Sequence, residues 1–114
     1  DGAVVVTTPQ NIALSDVIKS IDMFKTVKIP VLGIVENMSH LRTENGPVEL
    51  FPKGDLRGFL DSQNIPLLTD VSFHQDVTRG GEMGLPIVET KPQSPESVSF
   101  FKLADQLINM ANPE

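Results

Sequence analysis

The chain has no cysteine. Disulfide scaffolds, thiolate zinc sites and thiolate-held iron–sulfur clusters are therefore excluded within its 114 residues. Histidine is scarce as well: His40 and His74 cannot fill a tetrahedral metal site without carboxylates or a second chain. Basic residues are outnumbered, with nine Lys and Arg against fifteen Asp and Glu and a net charge of −6. That balance argues against a nucleic-acid or anionic-membrane partner. No run approaches the roughly 18 uninterrupted apolar residues of a membrane span. No basic segment leads into an apolar one in the manner of a signal peptide.

What is present is an ordinary globular composition, 39% apolar with eight glycines, which argues against disorder of the whole chain. The length suits one domain. The chain enters an apolar run directly after Asp1-Gly2 with no initiator Met, the pattern expected of a piece of a longer protein.

Ala3-Val4-Val5-Val6-Thr7-Thr8 is β-branched and lacks period-2 alternation, which predicts a strand buried on both sides in a parallel sheet. Pro9 and Gln10 close it. A helix is expected next, with Asn11 as cap and Ile12, Leu14, Val17, Ile18, Ile21 and Phe24 near one stripe. Val31 to Val35 reads as a second buried strand, completing a right-handed βαβ unit. Glu36 to Lys53 is polar and irregular, with a short hairpin arm at Val48-Glu49-Leu50-Phe51. Gly54-Asp55 opens a short helix with Leu56, Phe59 and Leu60 inward and Asn64 as C-cap, leading into a third strand at Leu67 to Val71.

Beyond Ser72 the glycines Gly80, Gly81 and Gly84 and Pro86 act as breakers, with a turn or two of helix over Phe73 to Arg79. Gly80-Gly81 reads as a flexible turn, or as a loop whose backbone approaches a ligand. Ser94-Pro95-Glu96 starts a final helix, with Val98, Phe101, Ala104, Leu107 and Ile108 forming its inward stripe. The predicted architecture is α/β: a three-layer parallel sheet with flanking helices.

Few residues suggest chemistry. Ser39-His40 and the Ser72/His74 pair lack an orienting carboxylate and read as exposed polar loop residues. Asp16, Asp22, Glu36, Asp55 and Asp61 read as solvated faces or caps. Asn37 stands apart because it follows a buried strand, at the carboxyl edge where open α/β sheets bind ligands. Its amide offers a purine edge both a donor and an acceptor. Tolerance of turn geometry is the competing reason for an Asn there.

Several motifs occur in the order seen in a known family. Gly2-Ala3-Val4-Val5-Val6-Thr7-Thr8-Pro9-Gln10 and Pro30-Val31-Leu32-Gly33-Ile34-Val35-Glu36-Asn37-Met38-Ser39 resemble the Mrp-type (ApbC-like) P-loop ATPases. Ile65-Pro66-Leu67-Leu68, Gly80-Gly81-Glu82-Met83-Gly84-Leu85-Pro86-Ile87-Val88 and Ser94-Pro95 continue that order. The resemblance spans nearly the whole chain. It implies an iron–sulfur cluster carrier related to MinD and nitrogenase iron protein, with residues 1–114 as a single partial domain, the C-terminal half of a P-loop NTPase fold. ATP with magnesium is the implied cofactor of the parent, a homodimer is its implied assembly, and apo iron–sulfur proteins are its implied recipients. The implied setting is the cytoplasm, or an organellar stroma or matrix. Asn37 is the implied adenine-reading amide, Met38 helps line the base pocket, and the backbone at Val71, Ser72 and Phe73 passes the other side of the base.

Three departures accompany the likeness. No G-x-x-x-x-G-K-[ST] loop is present, so phosphate binding, magnesium and hydrolysis are not expected of this chain alone. Leu41-Arg42-Thr43-Glu44-Asn45-Gly46 replaces the CxxC of many members, which leaves cluster binding without ligands here. Ser72 and His74 stand where Pro and Asp are usual. An alternative reading is a non-catalytic α/β interaction or dimerisation module, with an unpaired strand edge that invites pairing between chains.

Overall fold

The computed structural model describes residues 2–49 and 55–111, apart from the side chains of residues 11 and 12. Among them the element order is β1 (Ala3–Thr7), α1 (Asn11–Thr26), β2 (Val31–Thr43), β3 (Gly46–Val48), α2 (Leu56–Gln63), β4 (Leu67–Phe73), α3 (Gln75–Met83), α4 (Ile87–Thr90) and α5 (Pro95–Ala111).

β2 lies at the centre of the sheet. β1 pairs with it in parallel, Val5 beside Ile34 and Thr7 beside Glu36. β4 pairs along its other side, also in parallel, with Ile34 beside Leu67 and Asn37 beside Val71. The three strands expected from the apolar runs thus share one direction, although β1, expected to be buried on both sides, is only half-buried and exposes Val6. β3 returns antiparallel to the far end of β2, Leu41 beside Val48. The fold is therefore α/β with a mixed four-stranded sheet and flanking helices, not a purely parallel sheet.

The main core lies where α1 and α2 meet the sheet. Val17 and Ile21 of α1, Ile34 of β2, and Leu56 and Leu60 of α2 are buried together, with Val5, Leu14, Phe59, Ile65 and Leu67 packed around them. Each such fully buried side chain contributes about 1.5–3 kcal/mol relative to exposure. Asn64 ends α2 in the left-handed region at φ 56°, the C-cap geometry that Asn tolerates.

Several local expectations need correction. α1 begins at Asn11, so the cap position belongs to Gln10, which makes no side-chain capping bond. The expected stripe position Ile12, and Leu50, Phe51 and Gly54 of the next segment, lie outside the described residues or side chains. The stretch from Glu36, expected to be irregular, instead prolongs β2 to Thr43. It turns through Glu44-Asn45 into the hairpin arm Gly46–Val48, with Gly46 at φ 104°. The Thr43 hydroxyl donates to the Gly46 carbonyl at 2.5 Å, holding that turn. Glu36 and Asn37 pair with β4 and Leu41 to Thr43 pair with β3, which satisfies backbone groups on either side of residues 38–40.

Gly80 and Gly81 do not break the chain; both lie inside α3. The helix ends at Gly84, whose φ of 69° supplies the left-handed step. At Gly80 a Cβ would come within 2.5 Å of the Leu85 carbonyl oxygen, so the returning chain needs glycine there. The expected inward stripe of α5 is also displaced. Val98, Phe101 and Ile108 are 54%, 46% and 58% exposed, whereas Glu96 and Ser97 are completely buried. Ser97 donates to the Lys91 carbonyl at 2.7 Å and the Ile87 carbonyl at 3.1 Å, which fixes the rotation of the helix.

Candidate functional site

The candidate site lies where β1 finishes beside β2, which runs on past it to Thr43. Asn37 stands on β2 beyond the buried Val35 and Glu36. It lines an open cleft of about 290 Å³ together with Val5 to Thr8 of the β1 end and Ala13, Asp16, Val17 and Ser20 of α1. The walls combine valine and alanine side chains with hydroxyls, the Asn37 amide and the Asp16 carboxylate.

Met38 follows at φ 54°, a left-handed conformation uncommon for a residue other than glycine. There the pairing with β4 slips: Asn37 lies beside Val71, but the next aligned pair is Leu41 with Phe73. β2 therefore bulges over residues 38–40, and the Ser39 hydroxyl donates to the Val71 carbonyl at 3.4 Å across it. Such strain persists only where neighbouring structure holds it, and it recurs at ligand-binding rims.

Of the five site residues read from the sequence, Asn37 alone lines this cleft. Met38 is adjacent in the bulge, and Val71, Ser72 and Phe73 run beside it as the last residues of β4. Val71 and Ser72 are buried and Phe73 is partly exposed. Ser72 is not an exposed loop residue: it sits in the strand and donates its hydroxyl to Glu96. Glu36, read as solvated, is buried because β1 and β4 flank it on both sides.

Sequence reasoning missed the most buried charge in the described molecule. Glu96 has no exposed side-chain surface, while its partner Arg42 remains 33% exposed. Arg42 grips the carboxylate with both arms, Nε to Oε2 at 2.9 Å and Nη2 to Oε1 at 2.9 Å. Burial pushes the Glu96 carboxyl up, but hydrogen bonds from Arg42, Ser72 and its own backbone overcome this and hold it below the usual carboxylate range. The same bond raises the Arg42 guanidinium. Glu96 at a helix start was legible as a favourable carboxylate, but a partner 54 positions away leaves no local spacing signal.

A second polar cleft of about 330 Å³ lies by the hairpin, lined by Glu36, Ser39, His40, Arg57 and Asp70 among others. Among the described residues no group of three His, Asp or Glu is placed to hold a metal ion. None of their helices is long and apolar enough to cross a membrane.

Residues 1–108 match the ParA family model, described as NUBPL iron-transfer P-loop NTPase. The chain belongs to that family. Among relatives of this NUBPL/ParA chain, the iron–sulfur cluster transfer protein NUBPL of Dictyostelium discoideum is 35% identical over 109 residues, covering 94% of this chain and 34% of that protein. The iron–sulfur cluster carrier protein of Haemophilus influenzae is 42% identical over 108 residues, covering 93% and 29%. The chain thus spans about a third of the length of these relatives.

Solved structures agree with the NUBPL/ParA assignment. The cell division ATPase MinD of Pyrococcus furiosus superposes with TM-score 0.75 at 26% identity, over 96% of this chain and 43% of that one. A nucleotide-binding protein of Archaeoglobus fulgidus, in complex with ADP, superposes with TM-score 0.66 at 30% identity, over 88% and 40%.

Proposed function

We propose that this chain is the C-terminal part of an ATP-binding iron–sulfur cluster carrier, supplying the adenine side of its nucleotide pocket. Asn37 would read the base edge from the cleft, and Met38 and the backbone of Val71 to Phe73, which do not line that cleft, would border the base only if it reaches across β2. The single observation that carries the reading is the Asn37 amide, midway along β2, on an open cleft beside the carboxyl end of β1. The donor set fits a base: an amide with both polarities, between the valines of β1 and the first turns of α1.

The parent would hydrolyse ATP with magnesium, act as a homodimer and pass clusters to apo iron–sulfur proteins in a soluble compartment. Residues 1–114 then form one partial domain of it. The cluster itself does not fit this chain, which has no cysteine to hold it. Nor does the chain carry a phosphate-binding loop, so in isolation it does not hydrolyse ATP.

The test is titration of the chain with adenosine and ATP, followed by calorimetry and by the Asn37 side-chain amide signals. Weak adenosine binding, about millimolar, is expected to shift those signals, and Asn37→Ala should weaken it about tenfold, the loss of one or two hydrogen bonds. Magnesium-dependent ATP binding near micromolar would contradict the reading.

A second reading, an interaction or dimerisation module, is favoured by one feature. Among the described strands β1 pairs only with β2, and its Val6 is 63% exposed. An apolar strand with a free edge is a template for pairing.

A further inference from the structure

The Glu96 cluster ties together two paired strands and the helix that packs on them. Arg42 lies on β2 beyond the bulge, Ser72 lies in β4 beside it, and Glu96 opens α5. Both side chains converge on one carboxylate that water does not reach. Residues 38–40 are thus bracketed. On one side Asn37 aligns with Val71, and on the other Leu41 aligns with Phe73 while Arg42 is clamped. The left-handed turn at Met38 has nowhere to relax as long as both brackets hold. A surface ion pair would be a weak bracket, but a bidentate one around a buried, fully hydrogen-bonded carboxylate is stiff and directional.

From this arrangement we infer that Glu96 is a positioning residue for the ligand rim: its clamp on Arg42 and Ser72 sets the bulge that presents Asn37 to a base. The inference rests on the adenine-side reading given above. Glu96 touches no ligand; it acts through the two strands.

The test uses the full chain labelled with ¹⁵N and adenosine as the probe. Its readouts are the amide signals of Asn37, Ser39 and Val71 to Phe73, with Ile21 and Leu60 of the distant core as controls. Glu96→Gln should move the rim signals, leave the core signals in place, and weaken adenosine about tenfold, the worth of one charge-assisted hydrogen bond. Because Glu96→Gln strands a partner charge and can unfold the chain, Arg42→Gln and Ser72→Ala are tested beside it. Ser72→Ala removes an uncharged arm and leaves the Arg42–Glu96 pair in place, so it keeps the test readable if the charge variants unfold, Arg42→Gln being the harsher change because it strands the buried carboxylate. Arg42→Lys keeps the charge without the fork and should restore part of the affinity lost in Arg42→Gln.

If the folded variants leave the rim signals and the adenosine affinity unchanged, Glu96 is only a structural charge and the inference fails. If adenosine does not perturb Asn37 in the unaltered chain, the nucleotide reading fails, and with it the purpose assigned to the clamp. The two failures are told apart by whether the rim signals respond to Glu96→Gln.

Discussion

At the scale of single residues, Glu96 makes folding stability depend on pH. A carboxylate without water is costly unless its lone pairs are filled, and here Arg42 and Ser72 fill them. Its folded-state proton affinity lies below that of an unfolded glutamate, which titrates near about 4.3. The unfolded chain therefore binds the proton more readily. The stabilisation is complete above that value and is lost as pH falls through the lower folded-state value. Urea denaturation from pH 7 down to pH 3 should show the midpoint falling below about pH 4.3, with the fall blunted in Glu96→Gln. At pH 7 that variant should lose about 1.5–3 kcal/mol, the range for hydrogen bonds to a charged group. Asp76 is also held below the usual carboxylate range, by the Lys91 ammonium 2.8 Å away, but that pair is exposed and adds little.

At the scale of elements, the glycine in β2 shows how closely the strands are fitted. A Cβ on Gly33 would lie 2.4 Å from the Leu68 Cγ of β4, nearer than packed atoms can approach. Gly33→Ala should cost about 1–3 kcal/mol as an overpacking change. In urea the midpoint should fall with an unchanged slope, since the surface exposed on unfolding stays the same. α5 shows the limit of periodicity as a guide. Val98, Phe101, Ala104 and Ile108 repeat at helical spacing, yet the face that turns inward begins at Glu96 and Ser97. Hydrophobic spacing reports that a helix has an apolar side; it does not report which side when polar anchors compete. Buried hydrogen bonds from Ser97 and Glu96 decide the rotation, and the apolar residues displaced by it remain at the surface.

At the scale of the whole molecule, β1 and β4 each pair only with β2 among the described strands, so both outer strands of the sheet have a neighbour on one side alone. β2 and β4 are covered by α1, α2 and α5, while β1 presents an apolar edge. The family's longer relatives, three times this length, have chain available to complete such a sheet. We expect the isolated chain to associate with itself through β1. Light scattering should give a mass that rises with concentration above 12.4 kDa, and Val6→Lys, a charge on the edge, should hold it near that value. A chain that stays monomeric without the substitution would count against the module reading. Much of this was written in the sequence: the βαβ order, the inward Leu56, Phe59 and Leu60, and the Asn64 cap, whereas Asn37, expected just after a strand, lies midway along β2. The legible features depend on neighbours within a few positions, where spacing and backbone preference act directly. Tertiary structure alone decided the length of β2, the rotation of α5, the bulge at Met38 and the pairing of Arg42 with Glu96. Those depend on which distant groups satisfy a buried polar atom or fill a space, and no local period carries that information.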